Sequence, residues 1–277
     1  MSVQRPVARY LGGKWILAPW IVSHFPAHDL YLEPYGGLAS VLLRKARSRA
    51  EVYNDIDGEV VNLFRVLRDR AQAQELVGLL ALTPYARAEF DQAWDIPADA
   101  GPVERARLFL VRAQMGYGTA ATGKWRTGFR ASVFRDGSIP AEDWARYPAI
   151  LQAVVERLQG VVIENLDALE AIQRYDSPGT LHYVDPPYLT ETRGKWATGG
   201  YRHEMRAEDH EALAEVLHQV QGYVVLSGYD SGLYRALYRG WRVERRDTYA
   251  DRAQPRTEVL WISPNTPPVQ PGLFSAS

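Results

Sequence analysis

Cysteine is absent from all 277 residues of the chain. That excludes disulfides, thiolate-held metals and a cysteine nucleophile, and it fits a reducing compartment. Long apolar runs are missing too, so no segment reaches the length of a membrane-spanning helix. The opening stretch "MSVQRPVARYLGGKW" lacks the charged-then-apolar layout of a signal peptide. Nor does charge of either sign predominate: 32 Lys and Arg oppose 33 Asp and Glu, for a formal charge of −1. Global basicity therefore advertises no nucleic-acid partner, and any such partner must meet a local patch. Internal repeats are lacking. Together these absences lead us to expect a soluble protein of the cytoplasm.

What is present suits a folded domain. Hydrophobic residues make up 46% and charged residues 23%, and the length allows one large core, with or without a sizeable insertion. Short runs rich in β-branched and aromatic residues recur: "DLYLEP" (29–34), "AEVYND" (50–55), "GVVIEN" (160–165), "TLHYVD" (180–185), "GYVVLS" (222–227), "GWRVERR" (240–246) and "TEVLWIS" (257–263). Helical patterns lie between several of them. In "AEDHEALAEVLHQVQG", Leu213, Val216, Leu217 and Val220 fall at i, i+3, i+4 and i+7. Strand alternating with helix predicts an α/β fold with a mainly parallel, doubly wound sheet. The last two runs, with no helix between them, predict a terminal antiparallel pair.

Residues 66–158 read differently. Helical stretches ("AQELVGLLAL", "VERARLFLVRAQM", "PAILQAVVERLQ") enclose a polar, aromatic, glycine-bearing middle, "GYGTAATGKWRTGFRASVFRDGS". We expect a helical insertion interrupting a domain formed by residues 1–65 and 159–263. The proline-rich stretch 264–277 is expected to be a loose tail.

In an open parallel sheet, ligands sit beyond the carboxyl ends of the strands, and three such ends carry suggestive residues. In "EPYGGLAS" (33–40) a strand ends at Glu33, and Gly36 and Gly37 lead into a helix. Glycines there let backbone approach a ligand, and the helix start offers free N–H groups; a purely structural turn is the competing reading. In "YNDID" (53–57) the acid ending the next strand, about 20 residues on, is placed to accept ribose hydroxyls. Asp55 is the candidate, because Asp57 suits the N-cap of the helix "GEVVNLFRVL". The third end, "HYVDPPY" (182–188), stops a strand on Asp185. Pro186 and Pro187 impose an extended, rigid backbone without N–H donors. The Asp185 carboxylate and the Pro186 carbonyl would then be two fixed acceptors, with the Tyr188 ring alongside, an arrangement suited to a planar group bearing NH2.

The "DPPY" run, with "EPYGG" and "YLGGK" (10–14) upstream, resembles the DNA adenine-N6 methyltransferases of the Dam type. The order is also similar: cofactor motif, insertion, then DPPY. The resemblance covers roughly residues 8–263, taking in "NLDALEAI" (165–172) and "RTEVLWI" (256–262). It implies a Rossmann-like sheet that uses S-adenosylmethionine without a metal and acts on double-stranded DNA in a bacterial or phage-infected cell. It further implies Tyr10 and Lys14 at the cofactor and active-site mouth, and Glu33, Tyr35 and Gly37 shaping the methionine pocket. Asp55 would bind the ribose, and Asp167 would sit beside the cofactor adenine. Asp185, next to the cofactor, and Pro186 would engage the target amine, with Tyr188 stacking on an extruded base. A monomer is the default expectation, since small sites can be methylated one strand at a time.

Two departures from the family stand out. The second glycine of its aromatic-x-Gly-x-Gly pattern is Ala39 here, which suits a residue with negative φ. The asparagine-rich target-recognition stretch of GATC-specific members has no counterpart in "RAQMGYGTAATGKWRTGFR". DNA contacts are instead expected from Arg112, Lys124, Arg126, Arg130 and Arg135, a span with no acidic residue and with Trp125, Phe129 and Phe134 interleaved. A second basic run, Arg44, Lys45, Arg47 and Arg49, reads as a solvated helix face. The glycine-bearing loop "LTETRGKWATGGYRHEM" after DPPY is expected to order around a flipped nucleotide. His182, His203 and His210 lack ligand spacing, so no metal site is expected. Two alternatives stay open: an RNA or protein-amide N-methyltransferase, and a catalytically silent DNA-binding protein on the same scaffold.

Overall fold

The computed structural model describes residues 3–118, 125–131, 139–189, 200–250 and 254–268. All seven apolar runs are strands: β1 (Leu30–Glu33), β2 (Ala50–Asn54), β3 (Val161–Glu164), β4 (Thr180–Val184), β5 (Tyr223–Gly228), β6 (Arg242–Ala250) and β7 (Gln254–Ile262). They form one sheet in the order β3-β2-β1-β4-β5-β7-β6. The first five are mutually parallel, with Leu30 opposite both Ala50 and Thr180. β7 runs antiparallel to β5 and pairs with β6, the terminal antiparallel pair expected. From β1 the chain winds outward through β2 and β3, then returns to β4 on the other side of β1. That reversal opens a crevice beyond the carboxyl ends of β1 and β4.

Successive residues of each central strand face opposite sides, as the two-residue period of a strand requires. Tyr31, Tyr53, Tyr183 and Val225 join one apolar cluster, and their neighbours Leu32, Val52, Val184 and Val224 join another. Burial on both faces explains why these strands read as continuous apolar runs rather than alternating ones. The second cluster is closed by α9 (Ala207–Leu217) and α10 (Gly232–Leu237), through Leu213, Leu217 and Tyr234. The first takes in helices from between β2 and β3: α3 (Gly58–Arg68), α4 (Arg70–Leu82), α5 (Arg87–Gln92), α6 (Pro102–Met115) and α7 (Pro140–Leu158). Phe64, Leu76, Phe90, Phe109 and Leu151 from these helices share one core with Tyr31 and Tyr53 of the sheet. Among the described residues, the helical interval thus shows no core separate from that of the sheet. Three further helices complete the described elements: α1 (Ala18–Val22), α2 (Ser40–Arg44) and α8 (Ala168–Tyr175).

Three expectations need correction. Ala39 does not keep a negative φ; it sits at φ 52°, ψ 37°, in the left-handed region, at the N-cap of α2. The basic run is not a solvated helix face, because the helix ends at Arg44 and two of its cations bind elsewhere. Lys45 pairs with Glu51 at 2.6 Å, and Arg47 donates to the carbonyls of Arg157 (2.6 Å) and Gln159 (2.7 Å). A cation on those last carbonyls complements the helix dipole and fastens α7 against β2. The tail, finally, is not loose from Pro264. Asn265 Nδ2 donates to the Gly222 carbonyl at 2.8 Å, the Ser263 hydroxyl accepts from Val224 N at 3.0 Å, and Thr266 is buried.

Candidate active site

Beyond the ends of β1, β2 and β4 lies an open cleft. Its walls come from residues 10–14, from Glu33, residues 35–38 and Ser40, from residues 55–57, from Asp185 and Pro187, and from residues 201–203. Asn54, fully buried at the end of β2, ties the loops together. Its Nδ2 donates to the carbonyls of Pro34 (2.9 Å) and Leu166 (3.1 Å), and its Oδ1 accepts from Leu166 N (2.8 Å). Gly36 and Gly37 are demanded by what surrounds them. A Cβ on Gly36 would lie 2.2 Å from the Tyr53 ring, and Gly37 has φ +48°. The Gly37 N–H donates to Asp55 Oδ2 (2.7 Å), and its carbonyl accepts from the Tyr53 hydroxyl (2.8 Å). Asp55 Oδ1 accepts from Asp57 N (2.8 Å), and Asp57 caps α3 by accepting from Glu59 N (3.0 Å), as expected of it.

Two acids here are held neutral more readily than usual. Glu33 ends β1, 3% exposed, with Oε2 accepting from the Tyr31 hydroxyl and from Leu42 N, each at 3.1 Å. Burial nevertheless pushes its carboxyl up to about 8, helped by the Asp185 charge. Burial likewise raises Asp55 to about 6, against the lowering effect of its two amide donors.

At the inner end of the cleft, the buried Lys14 ammonium lies 2.9 Å from Asp185 Oδ1 and 3.7 Å from Glu258 Oε1. It donates to the Gly12 carbonyl (3.2 Å) and stands 4.6 Å from the centroid of the Tyr188 ring, a cation–π distance. The Tyr188 hydroxyl donates to Glu258 Oε1, and the ring meets Tyr229 edge-on at 4.6 Å. Burial disfavours the Lys14 charge, but the two carboxylates overcome it and hold the ammonium protonated. Burial raises both Asp185 and Glu258, with Lys14 pulling each back. The Lys14 ammonium at 2.9 Å and the Tyr188 hydroxyl both favour the charged form of Asp185.

Tyr10, Lys14, Glu33, Tyr35, Gly37, Asp55 and Asp185 therefore share one cleft. Asp167 stands apart from its lining: exposed, it caps α8 by accepting from Leu169 N (2.8 Å). Pro187 lines the cleft, whereas Pro186 is buried behind it. Sequence reasoning did not single out Asn54 or Glu258, and it had residues 201–203 only as part of the loop after DPPY expected to order around a nucleotide. An acid opening the apolar run "EVLWI" was the available signal for Glu258. The placement of Tyr201 could not be foreseen; its hydroxyl would lie 2.2 Å from a Cβ on Gly12 (φ +74°), so that glycine lets the ring lie over the cleft.

The expected DNA contacts divide. Arg126 is half-exposed and pairs with Asp91 at 2.5 Å, beside the exposed Trp125. Arg130 is part-buried and held by backbone, donating N–H to Met115 O (2.8 Å) and accepting from the Tyr85 hydroxyl (2.7 Å). Arg112 is a correction: only 3% exposed, it donates to the Ala93 carbonyl (2.5 Å) and lies 5.8 Å from the Trp94 ring. So enclosed, it joins α6 to the end of α5 and cannot reach a phosphate. Lys124, Phe134 and Arg135, with residues 190–199 of the loop after DPPY, lie outside the described residues.

Comparison with known proteins adds an independent finding. The profile of the family described as "D12 class N6 adenine-specific DNA methyltransferase" matches residues 10–93 and 128–250. The chain is similar to the DNA adenine methylase of Escherichia coli (strain K12), 24% identical over 254 residues covering 86% of each chain. It is similar to that of Salmonella typhi, 24% identical over 250 residues with the same coverage. The DNA adenine methylase of Vibrio cholerae serotype O1 (strain ATCC 39315 / El Tor Inaba N16961) is 24% identical over 255 residues, 87% of each chain.

Proposed function

The chain belongs to the family of D12 class N6 adenine-specific DNA methyltransferases, and from that premise we propose that it transfers the methyl group of S-adenosylmethionine to a flipped-out adenine in duplex DNA. The observation that carries this reading is Asp185, ending a strand at the floor of an acid-lined cleft, with Lys14 and Tyr188 against it.

The cleft suits the methyl donor. Glu33, Asp55, Asp57 and Asp185 line it with the cations Lys14 and Arg202; Glu33 and Asp55, protonated more readily than usual through burial, would ionise against a ligand carrying a sulfonium and an ammonium. Glu33 would face the cationic methionine end. Asp55, each of whose oxygens keeps a lone pair beyond its amide bond, would accept the ribose hydroxyls. Asp167, whose charge reaches Tyr35, would stand towards the adenine. The donor supplies an electrophilic methyl group when bound.

The protein's part is positioning and electrostatics. An adenine N6 amine is a weak nucleophile because its lone pair is delocalised into the ring. Asp185 and the Pro186 carbonyl, accepting the two N–H groups, favour a pyramidal nitrogen with its lone pair free. Asp185 need not be a strong base, since the amine becomes acidic only as the methyl group arrives. Extruding the base costs a few kcal/mol, and stacking on Tyr188 returns about 1–3 kcal/mol.

Labelled methyl transfer from S-adenosylmethionine to unmethylated duplex DNA tests this, with the modified base identified. We expect N6-methyladenine from the wild type and a loss of at least about 100-fold in Asp185→Ala, with Asp185→Asn retaining little. Full activity in Asp185→Ala, or label found only in RNA or protein, overturns the reading.

A further inference from the structure

Glu258 is a carboxylate on β7 among apolar neighbours, and β7 lies beyond residue 250, where the family profile stops matching. Val259, Leu260, Trp261 and Ile262 after it are all buried, and the Glu258 side chain itself is 4% exposed. A buried carboxylate is costly unless it is paired. This one is paired twice: it accepts the Tyr188 hydroxyl, and it lies 3.7 Å from Lys14 Nζ. Lys14 in turn stands 2.9 Å from Asp185 and over the Tyr188 ring. Glu258 does not itself line the cleft, so it acts on the reacting groups only through these two neighbours.

We propose that Glu258 is a positioning residue for methyl transfer, fixing the Tyr188 ring through its phenol and sharing the Lys14 charge so that Asp185 stays open to the target amine. The proposal rests on the catalytic reading above. Its physical basis is the ratio of charges. One ammonium facing one carboxylate in a desolvated site forms a tight one-to-one pair. Asp185 locked in such a pair would offer its lone pairs to Lys14 rather than to an incoming N–H. A second carboxylate divides the attraction: Lys14 keeps the shorter contact to Asp185, 2.9 Å, but lies within 3.7 Å of Glu258 as well. The phenol anchor does the parallel task for the ring. Held at its hydroxyl by Glu258 and edge-on by Tyr229, Tyr188 is ordered before a base arrives, and that ordering entropy need not be lost at binding.

The test uses the full chain, labelled S-adenosylmethionine and unmethylated chromosomal DNA, comparing wild type, Glu258→Gln, Tyr188→Phe and the double variant. Failure of the wild type to form N6-methyladenine would overturn the catalytic reading and this proposal with it; the remaining outcomes concern Glu258 alone. We expect Glu258→Gln to lower kcat about 10-fold while KM for DNA and the affinity for S-adenosylmethionine stay within about 3-fold. The double variant should lose less than the product of the two single losses, because both cut the same link. A kcat within about 2-fold of wild type in Glu258→Gln overturns the proposal. So do strictly multiplicative losses, or a fall in kcat matched by equal falls in cofactor affinity and melting temperature, the mark of a merely structural role. Should Glu258→Gln not fold, Glu258→Asp, which keeps the charge but draws its oxygens back, is judged by the same kcat and KM criteria.

Discussion

Glu33, which lines the cleft and is proposed to face the cofactor, opposes folding. Its ordinary pKa is 4.5, and in the folded protein burial pushes it up to about 8. Between those values the native state keeps a proton that the unfolded chain has released, so Glu33 lowers stability progressively as pH rises from 4.5 to about 8. Below 4.5 both states hold the proton and the cost vanishes; above 8 it is complete. Glu33→Gln should therefore melt higher than wild type at pH 8 and close to it below pH 4.5, as thermal denaturation at the two pH values would show. The ionised form is also the one a cationic ligand needs. Affinity of the wild type for S-adenosylmethionine should tighten as pH rises from about 6 to about 7.5, above which the ligand's own amine begins to lose its charge, and Glu33→Gln should bind weakly with a shallower slope. Calorimetric titration across this range reads both effects. Asp55, raised to about 6, acts in the same sense at lower pH.

The turn from β1 into α2 is the element on which the cleft depends. Ala39 occupies the left-handed region at φ 52°, which costs an L-residue about 1–2 kcal/mol. It is fully buried, and a buried methyl group returns about 0.8 kcal/mol. Glycine would relieve the strain but lose that burial, along with roughly 0.5–1 kcal/mol of backbone entropy. These effects nearly cancel, so Ala39→Gly should change stability by less than about 1 kcal/mol in urea denaturation. A β-branched residue has no such balance. Ala39→Val should cost about 2 kcal/mol or more, from a left-handed β-branched backbone and an overpacked core. An alanine at this place in the glycine pattern is thus tolerated without keeping a negative φ.

A chain of net charge −1 has no long-range attraction for DNA, so binding must draw on particular cations. Arg126, exposed beside Trp125, is the described candidate. Arg126→Ala should weaken binding to all duplexes alike and reduce the slope of log affinity against log salt by about 1 between roughly 50 and 200 mM. Arg112→Ala should leave that slope unchanged and lower the melting temperature, since Arg112 is enclosed and bonded to Ala93. Fluorescence anisotropy with labelled duplexes, paired with thermal melts, separates the two behaviours.

The sequence by itself determined the sheet, because strands buried on both faces must be short β-branched and aromatic runs, and seven such runs stand in the chain. It also put the EPYGG and DPPY runs at the carboxyl ends of parallel strands, where the structure opens one cleft between them. Only the tertiary structure decided the rest. Glu258 joins Lys14 and Tyr188 from the far end of the chain; Arg112 lies in the core instead of on the DNA-contacting surface expected of it; Ala39 takes a left-handed conformation in a turn whose Gly36 packs on Tyr53 and whose Gly37 bonds Asp55. Burial, ion pairing across distant strands and a backbone angle set by neighbouring residues are properties of the packed chain. No local pattern encodes them, because the same residue types in the same local order would be exposed, unpaired or relaxed in a different packing.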